Sequence, residues 1–201
     1  MDKNTTRATR AGWSPMARQR YQGLLGALPP GDEPLWAIVD CAVDEQLYEM
    51  LHAHPEQDRP QCLYDGVAAV RYARYAPYLL SVHGRSPFVS RWLDEGWERH
   101  WGVFLVSGAG APQLRRHFKR FLQARDAQGR QVWLRFYDPR VLPSLLAGVH
   151  SGNRFNLFGY RMVRAWLAPR AQQLWRGMPE VSDFQQSLGL VKKLETRLFN
   201  I

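Results

Sequence analysis

The sequence predicts an α/β protein of the α+β kind, in which helices flank a mixed β-sheet, with an antiparallel hairpin and a small C-terminal extension. Compact apolar runs alternate with amphipathic segments for roughly 110 residues, the pattern of a layered sheet-and-helix fold. Two alternating runs also enclose a short Gly-containing turn, so at least one strand pair is antiparallel. The 201 residues, 45% of them hydrophobic, are enough for a real core.

Four segments predict strands, because they are short, apolar and bounded by residues that turn or break the chain. They are LWAIVD at 35–40, QCLYDG at 61–66, APYLLSV at 76–82 and GVFLVSG at 102–108. The second passes quickly into a turn, and the last is the clearest buried strand.

Four other segments predict helices. Residues 17–28 form a short candidate, and Asp44 is placed to cap a second helix that contains Leu47 and Leu51. The third covers 88–97, and the fourth is amphipathic and opened by a proline. Pro112 opens this fourth helix. Its apolar face consists of Leu114, Phe118, Phe121 and Leu122, and its cationic face consists of Arg115, Arg116, Lys119 and Arg120.

The stretch FLQARDAQGRQVWLRFYDPRVL, residues 121–142, contains the hairpin. Gly129 lies where a short loop needs a positive φ. Strand alternation predicts a row of side chains that points into the core, namely Val132, Leu134 and Phe136. The opposite row is either covered by a helix or available to a partner, and consists of Trp133, Arg135 and Tyr137.

The hairpin ends in Asp-Pro, which predicts a helix start. Asp138 can accept hydrogen bonds from the first N–H groups of a helix, and Pro139 supplies the preset φ, so we expect a helix from Pro139 to about residue 146. The guanidinium groups of Arg135 and Arg140 flank this start. Their carboxylate partner belongs either to another molecule or to this chain, most simply Asp138 or Asp40.

The pattern weakens beyond Gly148. Residues 159–167 predict one more strand, and the last thirty residues are expected to form a helical or irregular tail. We therefore expect a polar, basic N-terminal segment at 1–33, a core domain at 34–148 and a small variable C-terminal part at 149–201.

The formal net charge of +9 comes from the two ends of the chain. Residues 1–21 carry five basic and one acidic residue, residues 148–201 carry eight and three, and residues 22–147 carry fourteen of each. Basic ends of this kind more often serve solubility or a loosely bound acidic partner than a groove that reads nucleic acid. A small nucleic-acid-binding protein that uses these ends is the alternative function.

Charges also segregate within the neutral centre. Residues 32–65 hold nine acidic residues and one arginine, whereas residues 71–140 hold thirteen basic and five acidic residues. If the fold keeps the two segments apart, the surface has opposed patches suited to two partners. If it brings them together, their charges pair internally. The sequence leaves both open.

No enzyme, cofactor or metal site is expected. The Gly-rich SGAGAP at 107–112 has Gln113 where a dinucleotide fingerprint needs glycine, and it lacks the Lys of a P-loop. The candidate metal ligands match no zinc spacing: Cys41, His52, His54 and Cys62. An enzyme would need an organised pocket around Asp40, Ser107, Asp138 and Arg135.

The cluster LRRHFKRF mixes aromatic and cationic residues as a single-strand nucleic-acid binder does. Helical periodicity, however, sends Phe118 and Phe121 to the core, so the cations are expected to be the solvated face of an amphipathic helix. Nucleic acid is therefore not expected to be a partner of this helix.

The compartment is expected to be the cytoplasm, without a membrane partner. No apolar run approaches the ~20 residues that cross a bilayer, and MDKNTTRATRAGWSPMARQR has no apolar signal-peptide centre. The two cysteines, Cys41 and Cys62, are expected to be free thiols.

Residues 35–147 resemble the family of domain of unknown function 4123. The most specific matches are the W-G-x-F-L-x-S strand at 101–107, the L-R-R-H-F-x-R-F helix and the R-F-Y-D-P-R ending of the hairpin. The resemblance implies a non-enzymatic adaptor chaperone of the bacterial type VI secretion system. Such a protein binds a secreted effector in the cytoplasm, often through the N-terminal region of the effector, and helps to load it onto the spike protein VgrG.

An adaptor needs aromatic and arginine anchors at the centre of its binding surface. The candidate partner-binding residues are Arg115, Arg116, Trp133, Arg135, Tyr137 and Arg140. The residues assigned to a structural motif are Asp40, Asp138 and Pro139.

Overall fold

A computed structural model describes residues 12–149, 151–159, 162–180 and 194–201. Its strands are β1 (Leu35–Asp40), β2 (Gln61–Cys62), β3 (Pro77–Ser81), β4 (Gly102–Val106), β5 (Gln123–Arg125), β6 (Gln131–Trp133), β7 (Ala165–Arg170), β8 (Gln173–Pro179) and β9 (Leu194–Asn200). Its α-helices are α1 (Pro15–Gly26), α2 (Leu47–His52), α3 (Pro55–Asp58), α4 (Gly66–Arg71), α5 (Pro87–Arg91), α6 (Ala111–Phe118), α7 (Leu142–Gly148) and α8 (Ser151–Phe158).

Seven strands form one sheet in the order β2-β3-β1-β4-β7-β8-β9, and β5 pairs with β6 in a separate hairpin. The predicted α+β class is therefore confirmed. Every pairing between described strands is antiparallel, so the parallel part of the predicted mixed sheet does not occur among them. The reason is that β3 and β4 both run opposite to the β1 strand between them, instead of joining it by parallel crossovers.

The central strands are buried on both faces, which requires a helical layer on each side. Ala37 of β1 and Phe104 of β4 belong to the first core, whereas their neighbours Ile38 and Val103 belong to the second. Helices α1, α2 and α5 supply the first core, and α6, α7 and α8 supply the second. The protein is thus a three-layer arrangement with the sheet in the middle.

Aromatic side chains fill much of the first core. Trp92 stacks on Phe104 with ring centroids 4.5 Å apart, and Phe88 stacks on Trp101 at 6.1 Å. Trp92 lies in a π-helical turn, Trp92–Gly96, that extends α5. The predicted helix over 88–97 therefore exists, but its second half widens to place these rings under the sheet.

Most of the predicted elements are present. The strands at 35–40, 76–82 and 102–108 are confirmed within about two residues, and the segment at 61–66 is a two-residue strand followed by a turn. The amphipathic helix that Pro112 opens is confirmed as α6, with Leu114 and Phe118 buried. The hairpin is confirmed too, and Gly129 has the expected positive φ of 78°. Val132, however, was predicted to point into the core and is 39% exposed, because β6 pairs only with β5 and no layer covers it.

Two further local predictions are wrong. The Oδ1 atom of Asp44 accepts the N–H of Gln46 at 3.0 Å, and α2 begins only at Leu47. Asp44 therefore closes a turn before the helix and does not cap it. The helix expected from Pro139 begins at Leu142, because residues 138–141 form turns in which the Asp138 carbonyl accepts the N–H groups of Val141 and Leu142.

The C-terminal region also differs from the sequence prediction. The strand expected at 159–167 lies at 165–170, and the tail expected to be helical or irregular contributes β8 and β9. These strands continue the sheet from β4 through β7, with Phe104 opposite Leu167 and Trp166 opposite Gly177. Residues 181–193, which fall within the predicted tail, lie outside the described residues.

Gly102 provides a direct test of the β1–β4 register. Its φ is 155°, and a Cβ there would lie 1.9 Å from the carbonyl oxygen of Ile38. We expect Gly102→Ala to lower the free energy of unfolding by about 3 kcal/mol, because the two central strands must separate to admit the methyl group. Urea unfolding followed by circular dichroism measures this change.

Gly148→Ala is the matched control, since nothing lies within 4 Å of its added Cβ in α7. It should leave stability unchanged or raise it by about 0.5 kcal/mol through helix propensity. Equal stability of the two variants would contradict the assigned register.

Candidate functional site

The end of β1 carries a buried carboxylate that is held by the hairpin. Asp40 is 1% exposed, and Arg135 donates two hydrogen bonds to its Oδ2, of which the Nε bond is 2.9 Å long. The Oδ1 atom of Asp40 accepts the N–H of Ala42 at 3.0 Å. Burial raises the pKa of Asp40, while the bonds from Arg135 act to lower it. Arg135 therefore anchors the hairpin to the sheet.

A second buried carboxylate follows the hairpin. Asp138 is 3% exposed and accepts Arg140 Nε at 3.0 Å, Arg140 Nη2 at 2.7 Å and the Arg140 N–H at 2.9 Å. Its pKa lies below the ordinary value: burial acts to raise it, but the hydrogen bonds and charge of Arg140 outweigh burial. The Asp-Pro sequence thus has an internal partner in Arg140.

Tyr137, predicted as a partner-binding residue, and Pro139, predicted to begin a helix, do not have those roles in the structure. Tyr137 is 4% exposed and packs against Phe136, so its ring belongs to the second core and is not a contact surface. Burial raises the pKa of the Tyr137 hydroxyl, and the nearby negative charge of Asp40 raises this pKa further. Pro139 lies in the turn before α7 and does not occupy the first position of that helix.

The segregated charges of the chain pair with each other. Ion pairs join the acidic segment 32–65 to the basic segment 71–140 at four of its carboxylates. The pairs are Asp40 with Arg135, Asp44 with Arg99, Glu49 with Arg74, and Asp65 with both Arg115 and Lys119. The internal pairing that the sequence left open therefore describes these segments better than two opposed patches.

Arg115 joins α6 to the chain before α4. Its Nε donates to the carbonyl of Cys62 at 2.6 Å, its Nη2 donates to the carbonyl of Tyr64 at 2.9 Å, and the same nitrogen contacts the carboxylate of Asp65. Lys119 reaches Asp65 at 2.6 Å. Arg115 is thus a structural link, whereas Arg116 is exposed and forms no ion pair with any described residue.

A groove lies between α4, the end of α6 and the hairpin. It has a volume of about 330 Å³, and we call it the α4–hairpin groove. Its apolar lining is Leu63, Tyr64, Ala68, Leu122 and Trp133, and its polar lining is Asp65, Lys119, Arg120 and Gln123. The rings of Tyr64 and Trp133 are in contact, with centroids 5.3 Å apart. Trp133 is nevertheless 55% exposed, so most of its surface remains available.

Helix α4 exposes apolar side chains beside this groove. Val67 is 79% exposed and Val70 is 82% exposed, and no residue of α4 is buried. With Tyr72 and Tyr75 they form a strip that we call the α4 ridge. Six of the ten large hydrophobic residues that are exposed in the described part of the chain lie either on this ridge or on the hairpin, at Val132 and Trp133. Such clustering marks an interaction surface, whereas scattered exposure does not.

The sequence prediction missed the ridge. The segment GVAAVRYARY, residues 66–75, has no continuous core-facing stripe, and arginines interrupt its apolar positions. Apolar residues at i and i+3 beside arginine, in a helix too short to bury both faces, were the available signal.

Ser107 and Asp40, which the sequence analysis placed in one possible enzyme pocket, do not lie together in the structure. Ser107 is buried, donates to the carbonyl of Met162 at 2.6 Å and accepts the N–H of Ala109 at 3.1 Å. It follows the end of β4 that lies opposite Leu35, whereas Asp40 lies at the other end of β1, so roughly 16 Å of strand separates them. No group of three or more His, Cys, Asp or Glu residues within the described ranges is arranged to hold a metal ion. Cys41 and Cys62 are free thiols.

A comparison with protein-family models matches residues 35–154 to a domain of unknown function, DUF4123. The chain belongs to the DUF4123 family. Comparison with the curated proteins and with the solved structures found no match. No helix among the described residues has the length and apolar character needed to span a bilayer.

The DUF4123 match contains every residue of the α4–hairpin groove and the Arg135–Asp40 anchor. It ends within α8, so strands β7, β8 and β9 lie beyond it although they belong to the same sheet. The candidate surface therefore lies within the part of the chain that the family model matches.

We expect Arg135→Ala to lower the free energy of unfolding by about 2 kcal/mol, because Asp40 would stay buried without its cation. The Arg135 side chain is partly exposed, so solvent screens the pair and the expected loss of stability is smaller than for a fully buried ion pair. Arg135→Lys should recover part of the loss, since it restores the charge but not the paired hydrogen bonds. Urea unfolding of both variants measures the effect. Arg91→Ala, which removes an exposed pair with Glu95, should leave stability nearly unchanged; a loss equal to that of Arg135→Ala would refute the anchor.

The lowered pKa of Asp138 predicts a pH dependence. A carboxylate whose pKa is lower in the folded state contributes stability above its unfolded pKa, near 3.8, and loses it as pH falls through the folded value. The wild type should therefore exceed Asp138→Asn most at pH 6–7, and the difference should shrink below about pH 4. Denaturant midpoints measured from pH 7 to pH 3 test this. A difference that grows on acidification would contradict the Asp138–Arg140 pair.

Proposed function

We propose that this chain is an adaptor chaperone of the bacterial type VI secretion system. It binds a secreted effector in the cytoplasm, through the N-terminal region of the effector, and helps to load it onto the VgrG spike. Membership of the DUF4123 family over residues 35–154 carries this proposal. The α4–hairpin groove and the α4 ridge supply a surface on which a polypeptide can dock.

The proposed action involves no catalysis. The ionisable groups at the end of β1 and after the hairpin form internal pairs, Asp40 with Arg135 and Asp138 with Arg140, and the first pair holds the hairpin in place. Ser107 is likewise bonded within the chain and lies far from both carboxylates. This arrangement supports a rigid platform for another polypeptide.

The composition of the exposed surface suits reversible protein binding. Tyr, Trp and Arg dominate the residues that contribute most to binding energy at protein interfaces. The α4 ridge, the groove and the adjacent face of α6 present these types together, in Tyr72, Tyr75, Trp133, Arg116 and Arg120. A rigid platform that already exposes such anchors loses little conformational entropy on binding.

Affinity purification from the native host tests the proposal. The tagged chain should retain one effector polypeptide through nuclease treatment and when the salt concentration is raised about threefold, from 0.1 M to 0.3 M. Salt weakens interactions between exposed charges but has little effect on apolar contacts. Deletion of the gene should abolish secretion of that effector and leave secretion of other effectors intact. A nucleic-acid-binding protein would instead release its partner on nuclease treatment and lose affinity steeply with salt.

Point variants separate the surface from the fold in this assay. Trp133→Ala removes an exposed anchor and should lower retention of the effector about tenfold while the chain stays folded, although loss of the Tyr64 contact should lower its stability slightly. Met16→Ala is the matched control, because Met16 is exposed on α1, which lies on the opposite side of the sheet from the groove. This variant should retain the effector fully. Deletion of residues 148–201 is unsuitable, because it would remove three strands of the sheet. Full retention by Trp133→Ala would exclude the groove as the effector site.

A further inference from the structure

The α4–hairpin groove joins apolar exposure to a surplus of positive charge. Four cations lie on α6 and its 3₁₀ extension, namely Arg115, Arg116, Lys119 and Arg120. Asp65 is the acidic residue within the described part of the chain that pairs with them, and Arg115 and Lys119 share it. Arg120 instead contacts the Nδ1 atom of His117 at 3.2 Å and the ring of Phe121. This side of the groove therefore has more positive charge than the chain neutralises.

We propose that the α4–hairpin groove binds a segment of the client polypeptide in which a large apolar side chain is flanked by aspartate or glutamate. The proposal rests on the adaptor function proposed above and specifies the chemistry of the segment that the adaptor recognises.

The size and lining of the groove define the apolar part of this segment. A volume of about 330 Å³ lies at the low end of the range of ligand pockets, about 300–1,000 Å³, and suits a large side chain better than a cofactor. Leu63, Ala68 and Leu122 offer aliphatic contacts, and Trp133 offers an aromatic face. An aromatic or long aliphatic anchor would fill the groove and cover the Trp133 ring.

The cations define the charged part. A partner that covers the groove removes water from Arg120, which forms no ion pair with any described residue, and desolvation of a cation is costly unless a carboxylate replaces the water. Asp65 already accepts two cations and cannot serve the others. The partner must therefore supply its own acidic groups, which also speeds its approach to this face.

The groove exists before any partner binds. Arg115 holds the carbonyls of Cys62 and Tyr64 against α6, and the Tyr64–Trp133 contact holds the hairpin against the same loop. Both walls are thus fixed by bonds within the chain, and a partner gains contacts without ordering them.

Site-specific photo-cross-linking tests the proposal in the native host. A benzophenone amino acid replaces Val70 on the α4 ridge, two residues after the groove-lining Ala68, or, as the control, Met16 on α1. After irradiation, mass spectrometry identifies the peptides joined at each position. We expect a client peptide at Val70 that contains a large apolar residue and net negative charge, at least tenfold more abundant than at Met16.

Each other outcome has a distinct meaning. A neutral or basic client peptide at Val70, nucleic acid in place of a polypeptide, or equal cross-linking at Met16 overturns the proposal. So does a client that co-purifies with the chain but does not cross-link at Val70, and in that case the adaptor function survives. A client absent both from the purified chain and from the cross-links refutes the adaptor function itself.

Charge reversal provides an independent readout on the same client. Arg120→Glu should lower client affinity about tenfold and reduce the salt dependence of association, because repulsion replaces attraction at the groove. Arg91→Glu introduces the same change on α5, across the sheet, and should leave affinity unchanged. Equal affinity of the two variants would overturn the assignment of an acidic partner to this groove.

Discussion

The burial of β1 and β4 on both faces is the constraint on which the rest of the structure depends. Two apolar faces need two helical layers, and the chain supplies α1, α2 and α5 on one side and α6, α7 and α8 on the other. Helix α4 follows the short edge strand β2 and lies beyond both layers, where it finds no core to enter. Its valines therefore face solvent, and the candidate docking surface results from the way the sheet is covered.

The same constraint explains the buried carboxylates. Asp40 is the last residue of β1, and the other residues of this strand are all apolar. Because Asp40 is buried, its charge must be neutralised within the fold. Arg135 does so from the hairpin, 95 residues later in the sequence. Arg135, which the sequence predicted to bind a partner, thus fixes the hairpin in place. It thereby also fixes Trp133 where a partner can contact the ring.

The sequence predicted those elements whose local pattern had one explanation. Strands β1 and β4 are apolar on both faces, the α6 stripe has a clear helical period, and Gly129 has the conformation that its loop required. Strands β8 and β9 escaped prediction because QLWRGMP and LETRLFN mix charged and apolar residues without strict alternation. They are strands because β8 pairs with β7 and β9 pairs with β8. The burial of Tyr137 and the partners of the segregated charges depend on long-range packing that no local pattern encodes.

Hydrogen–deuterium exchange of the chain, alone and saturated with its client, tests the central claim most directly. The account predicts that binding slows exchange at residues 64–75 and 119–133, around the α4 ridge and the groove, and leaves α1 and α5 unchanged. Protection confined to α1, α5 or the β9 edge, with residues 64–75 unaffected, would contradict it.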